Sequence, residues 1–285
     1  MGELRDRMER EMRVRNLSPR TIEAYLAAVR GLARHYGRAP DQLSDEEIQR
    51  YLLYVREERR LSASTCIQIR YGLRFFYSVT LRREQASLAV PMMRAPQALP
   101  EILSREEVAR ILGAAPTLRG RLLLMLTYGG GLRVSEVVRL RHEDLDRERG
   151  LIRIEQGKGA KDRYTLLAER AHGDLERYRR VYGETSAWVF PQRGGAQRPM
   201  DPTTAQRIYY AAKSCAGVKK RGGIHALRHA FATHLLEGGC DLPSLQRLLG
   251  HNAVQTTMRY VHVSRRALSE RASPLDQLPL GALAP

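Results

Sequence analysis

The sequence predicts two mainly α-helical domains, the second interrupted by a small β-hairpin. Three observations carry that expectation. Apolar residues recur at helical spacing behind recognisable helix starts over most of the chain. One stretch, LIRIE (151–155) and RYTLL (163–167), alternates apolar and polar residues on either side of QGKGAKD. One break, QASLAVPMMRAPQALP, holds three prolines and no helical period.

The elements follow in order. A first amphipathic helix is expected from about Glu3 to Val14. Ser18-Pro19 is an N-cap followed by proline at the first helical position; Ile22, Leu26, Val29, Ala33 and Tyr36 then share a face, and Gly37 ends the run. Ser44 and Glu47 form a capping box for a third helix carrying Ile48, Leu52 and Val55. A fourth spans about Ser62 to Thr80. Residues 1–85 thus read as a four-helix domain with a basic face, and 86–100 as a linker. A second capping box, Ser104 with Glu107, opens the next domain at about residue 101, which is expected to run to 272. Its hairpin presents Lys158 at a Gly-rich tip, and helices resume near Ala171 and over roughly 202–216. Residues 273–285 form a Pro-rich apolar tail.

Composition narrows the class. The hydrophobic fraction of 43% supports a core, and no run of about 18 apolar residues would cross a membrane. The first residues, MGELRDRMEREMRVRN, are too charged for a signal peptide. Cys66, Cys215 and Cys240 lie far apart with no CxxC pair, which fits a reducing cytoplasm and neither a zinc site nor a disulfide framework. The net charge of +17 points to a polyanionic partner, nucleic acid before acidic protein. Of 48 basic residues only Lys158, Lys161, Lys213, Lys219 and Lys220 are lysines. Arginine forks suit phosphate, although a codon bias would give the same composition.

Four stretches carry chemistry. In YGGGLRVSEVVRL, Arg133 follows three glycines at a helix start, a place for an anion; the same Arg could instead pair with Glu136 one turn on. In GKGAKDR, two of the rare lysines fall within four residues. Lysine can hand over a proton where arginine cannot, which suits Lys158 as a general acid; an exposed tolerant turn would look alike. In GIHALRHAFATHLL, His225, Arg228 and His229 share one side of a helix, as phosphate donors or as a solvated face. In LLGHNAVQTTMRYVHV, a short amphipathic helix, a GHNA turn carrying His251 and a second helix carrying Tyr260 fit either catalysis or a helix-turn-helix. Together, Arg133, Lys158, His225, Arg228, His251 and Tyr260 fit attack of a tyrosine on a phosphodiester. No Asp/Glu cluster suits Mg²⁺, so neither a metal nor another cofactor is expected.

These motifs, in this order, resemble those of the tyrosine recombinases, the phage-integrase and Xer family. The resemblance covers nearly the whole chain, because the N-terminal helices look like that family's core-binding, SAM-like domain. It implies a two-domain clamp around double-stranded DNA with the tyrosine recombinase catalytic fold. It further implies a homo-tetramer in the synaptic complex and a monomer or weak dimer off DNA. Cleavage would give a 3′-phosphotyrosine, and strand exchange a Holliday junction, without metal or ATP. By motif match Tyr260 is the nucleophile, Arg133 and Arg228 bind phosphate, and Lys158 is the general acid. His225 is the general base, His251 contacts phosphate, and Glu136 is a supporting acid. His229 and His262 match no catalytic role.

Departures are small. GGGLR stands where Thr-Gly-Leu-Arg is common, and no additional N-terminal domain for arm sites is expected. The stretch from Trp188 to His225 is short for the insertion of integron integrases, so an Xer-like or mobile-element-borne enzyme fits best. Leu275, Leu278 and Leu280 in the tail suit docking on a neighbouring protomer, and a disordered tail suits them as well. The competing readings are a non-catalytic DNA-binding regulator of the same fold and a type IB topoisomerase-like enzyme.

Overall fold

A computed structural model describes residues 2–83, 101–155, 162–183, 186–192, 194–251 and 254–261. The expected linker, the hairpin tip with Lys158, and the tail lie outside the described residues. The chain divides into two compact units, Met1–Ala98 and Leu99–Pro285.

The first unit is built from four helices: α1 (Gly2–Val14), α2 (Pro19–Tyr36), α3 (Asp45–Glu57) and α4 (Ala63–Phe75). The caps read from the sequence are in place. Ser18 Oγ accepts from the Thr21 amide at 3.2 Å, and α2 stops at Gly37 with φ +62°. Ser44 and Glu47 cap each other at 2.9 and 3.3 Å. α4 continues into one wider π-type turn, Phe76–Thr80, whose Tyr77 hydroxyl donates to the Pro40 carbonyl at 2.6 Å. Met8, Met12, Leu32, Ile48, Tyr51, Val55, Leu73 and Phe76 fill the core between these helices.

The second unit opens with α5 (Arg105–Gly113), whose Ser104–Glu107 capping box closes at 2.7 and 3.2 Å. α6 (Leu118–Gly129) runs through the middle and buries Leu122, Leu123, Leu124 and Leu126, so it is apolar on nearly every side. A four-residue helix, α7 (Val134–Val137), follows at once. Three antiparallel strands come next, β1 (Leu145–Asp146), β2 (Leu151–Ile154) and β3 (Arg163–Leu166), in that spatial order, with Ile154 paired to Arg163. Then come α8 (Arg170–Tyr182), a two-stranded pair β4 (Pro191–Gln192) and β5 (Gly195–Pro199), and α9 (Pro202–Cys215). The unit ends in α10 (His225–Glu237), α11 (Leu242–Leu249) and α12 (Val254–Val261).

The mainly helical class holds, and the sheets are larger than the single expected hairpin. β1 has two residues, too few to show alternation, and β4 and β5 are rich in Pro, Gly and polar residues. α10 is buried along most of its length, including Arg228 at 1% exposure. A solvated polar face is therefore the wrong reading of that residue; its partners lie inside the protein.

Candidate active site

The site begins with a glycine. α6 ends in the run Gly129-Gly130-Gly131, and Gly131 has φ +59°. A Cβ there would meet the Phe231 ring at 2.3 Å, so α10 packs directly on the bare backbone of this turn. The Gly131 carbonyl accepts from Arg228 Nη1 at 2.7 Å. Gly130, which stands where threonine is common, has φ −100°, a conformation open to any residue. Arg133, two residues after Gly131, is the N-cap residue of α7.

Glu136 is the hub. Its carboxylate accepts from the Arg133 amide at 2.7 Å and from Arg133 Nη1 at 2.7 Å. Arg163, the first residue of β3, places Nη1 and Nη2 on the two carboxylate oxygens at 2.9 and 2.8 Å. Arg228 Nη1 stands 3.7 Å from the same group. Pairing and phosphate binding by Arg133 are thus compatible: the acid holds the guanidinium in place. Burial alone would raise the Glu136 carboxyl, but the hydrogen bonds and charge of Arg163, then the Arg133 amide and charge, outweigh it and hold it down to about 2. Glu136 is 8% exposed, so it is a buried anion among three cations.

Arg228 is fixed from two sides. Besides Gly131, it donates through Nη2 to the Leu249 carbonyl at 2.6 Å and reaches His251 Nε2 at 3.1 Å. Desolvation, then the charge of Arg133, lowers it to about 10, which leaves it cationic at neutral pH. Because a guanidinium only donates, His251 Nε2 must accept, and Nδ1 carries the hydrogen toward Thr257 Oγ1 at 2.9 Å. Desolvation and the charges of Arg228, Arg133 and Arg163 push His251 down to about 4. Gly250, with φ +62°, ends α11; a Cβ there would meet Arg163 Cδ at 2.6 Å. Its carbonyl accepts from Arg133 Nη2 at 3.2 Å.

Tyr260 sits on α12, which packs on α10 and α11 in an apolar cluster with Phe231, Leu245 and Leu249. It is 4% exposed. Its ring lies nearly parallel to His251, centroids 6.3 Å apart, and its hydroxyl is 2.9 Å from His229 Nδ1. His225 stands one turn earlier on α10, its ring 4.6 Å from that of His229 and edge-on to it. Desolvation, with the charges of His229, Arg228 and Arg133, lowers His225 to about 4. Desolvation is the larger cause, although part of the residue still reaches solvent.

The structure therefore gathers Arg133, Glu136, Arg228, His251, Tyr260 and, through His229, His225 into one region. Lys158 lies outside the described residues. The strands that flank its segment are held through Arg163, which also donates from Nε to the Leu248 carbonyl at 3.0 Å. Two contributors carry little signal in the sequence: Arg163 is lost in the alternation of a strand and Thr257 in a run of polar helix residues. The sequence groups His229 with His225 and Arg228 on one helix face but gives it no catalytic role. Its spacing of four from His225 was the available signal. From Arg133 and Glu136 a cavity of about 420 Å³ leads on past Arg139, Arg141 and Arg153 to Trp188, over which Arg141 stacks at 5.1 Å.

Comparison with known proteins shows the family of the chain. Residues 101–266 match the Phage integrase family, and residues 4–87 match the Phage integrase, N-terminal SAM-like domain. The y4qK protein of Sinorhizobium fredii is 39% identical over 289 residues, covering all of this chain and 92% of its own length. The tyrosine recombinase XerA of Thermococcus kodakarensis is 32% identical, covering 97% of this chain and 98% of that one. A crystal structure of XerA recombinase superposes with a TM-score of 0.55 at 28% identity, covering 94% and 96% of the two chains. A lambda integrase tetramer bound to a Holliday junction shares the fold, with a TM-score of 0.74 at 20% identity over 91% of this chain and 76% of that one. The chain belongs to the phage integrase family of tyrosine recombinases.

Proposed function

We propose that this chain is a site-specific recombinase of double-stranded DNA in which Tyr260 is the nucleophile. The observation that carries the reading is the placement of one buried tyrosine hydroxyl beside an imidazole, next to arginines oriented around a single carboxylate. A phenol is a weak nucleophile at neutral pH, so it needs a proton acceptor and a cationic cradle for the phosphoryl group. Arg133 and Arg228 supply the cradle, with Arg133 the more open of the two at 22% side-chain exposure against 1%. Once DNA displaces the contact with Arg228, His251 donates from Nε2 to a phosphate oxygen, its hydrogen having moved there from Nδ1 by exchange of tautomer. Lys158 protonates the leaving 5′ oxygen. The products of cleavage are a 3′-phosphotyrosine and a free 5′-hydroxyl, and exchange of strands between two sites passes through a Holliday junction. No metal or nucleotide enters these steps.

Residues 1–85 form the core-binding domain, 86–100 the linker, 101–272 the catalytic domain and 273–285 a segment exchanged between protomers. The working unit is a homo-tetramer on two synapsed sites, the assembly seen for lambda integrase on its Holliday junction. The arginine-lined cavity beyond Arg133 supports contact with DNA backbone next to the scissile phosphate.

The test needs no known target. Protein is incubated with sheared host DNA in EDTA, stopped with detergent, and covalently linked fragments are captured and sequenced. A narrow set of captured ends, absent with Tyr260→Phe, is expected. Ends scattered without sequence preference would instead indicate a topoisomerase. Tight binding with no capture would indicate a regulator.

A further inference from the structure

Among the described residues, His251 and Arg228 belong to the same region as Tyr260, the His251 ring 6.3 Å from the tyrosine ring, and both have partners of their own. His251 is engaged at both ring nitrogens, by Arg228 at 3.1 Å and Thr257 at 2.9 Å. Arg228 is a donor only, and three of its contacts go to Gly131, Leu249 and His251. His229 meets the hydroxyl directly. Its Nδ1 lies 2.9 Å from the hydroxyl, within reach for a proton, and its ring is 5.6 Å from the tyrosine ring. On the other side it meets the ring of His225, which solvent reaches. α10 carries both histidines on one face, four residues apart, so the pair runs from the buried hydroxyl outward.

We propose that His229 takes the Tyr260 proton during strand cleavage and returns it during rejoining, with His225 as the next carrier toward solvent. This rests on the recombinase reading above and refines it, because the motif match gives the base role to His225 and none to His229. In cleavage, the Oη–H bond of Tyr260 breaks and its proton moves to the Nδ1 lone pair, which makes His229 an imidazolium. The Oη electron pair forms the bond to phosphorus. The bond from phosphorus to the 5′ oxygen breaks; that oxygen leaves with the electron pair and takes a proton from Lys158. Rejoining is the reverse. The resting ring therefore carries its hydrogen on Nε2. Positive charge develops on His229 as negative charge grows on the phosphoryl oxygens, so the two changes offset each other.

The experiment uses the full-length protein and an oligonucleotide carrying one of the captured sites, in two forms: ordinary, and with sulfur replacing the bridging 5′ oxygen at the scissile phosphate. Sulfur leaves without a proton. Lys158→Ala, slow on the ordinary form, therefore gains rate on the sulfur form. His229→Ala is expected to be slow on both, by about 10²-fold or more in single-turnover cleavage. Added imidazole should restore part of that rate in His229→Ala and none in Tyr260→Phe. His229→Gln keeps an acceptor for the hydroxyl but cannot take its proton, so it should stay slow. DNA binding and melting temperature report folding of each variant. Wild-type cleavage by His229→Gln, or a His229→Ala defect that imidazole leaves untouched, overturns the proposal while the recombinase reading stands. Failure of the wild-type protein to cleave any captured site overturns both.

Discussion

Arg163 grips both carboxylate oxygens of Glu136, at 2.9 and 2.8 Å, and thereby ties the strand that follows the Lys158 segment to the carboxylate that also holds Arg133. Neither residue is more than 9% exposed in its side chain, so the pair is desolvated and depends on its geometry. Lysine cannot reproduce a two-pronged fork while also reaching the Leu248 carbonyl. Arg163→Lys should destabilise the chain by about 2 to 3 kcal/mol, somewhat below the cost of removing one member of a buried pair outright. It should also slow DNA cleavage. Denaturant unfolding measures the first and covalent capture the second; an unchanged midpoint would refute the hub role.

Glu136 also sets a pH limit. Its folded-state value is depressed from 4.5 to about 2, so the stability it contributes is complete above about pH 4.5 and is lost as pH falls toward 2. The shift corresponds to about 3 kcal/mol. Glu136→Gln should flatten the unfolding free energy between those limits. An acid branch unchanged by the substitution would show that other carboxylates dominate it.

The histidines act over a higher window. His225 and His251 are both lowered from 6.5 to about 4, so the unfolded chain binds protons first as pH falls. Their effect is a loss of stability between about pH 6.5 and 4, absent above it. The melting temperature should drop over that window, and by less in His251→Asn. An equal drop in the variant would mean that His251 titrates normally.

Gly131 is irreplaceable for two separable reasons, its φ of +59° and the Phe231 ring where a Cβ would stand. Gly131→Ala should cost about 2 to 4 kcal/mol through overpacking and backbone strain together. Phe231→Leu in the same chain should recover part of this, the packing share, in a double-mutant cycle. Additive costs would show that the ring is not the obstacle.

Tyr260→Phe should abolish covalent capture while DNA binding persists. Loss of the hydrogen bond to His229 should change stability by only about 1 kcal/mol. A variant that binds DNA but unfolds early would assign the hydroxyl a structural role instead.

Much of this was legible in one dimension. Ser18-Pro19, Ser44 with Glu47 and Ser104 with Glu107 mark helix starts because a side-chain oxygen satisfies orphan amides locally, and each cap closes as read. LIRIE and RYTLL announce strands by their period, and four ordered stretches point to the chemistry. Short strands such as β1 and β4 left no period to read.

The sequence by itself determined the helices, their caps, the chemical set and the family, because those depend on neighbours within a few residues or on residue type and order. Only the tertiary structure decided that Arg163 holds Glu136, that Arg228 is buried among carbonyls, and that His229 rather than His225 meets the Tyr260 hydroxyl. Those contacts join residues 21 to 97 positions apart, and no local pattern specifies them. They follow from how α10, α11, α12 and β3 pack around one buried carboxylate.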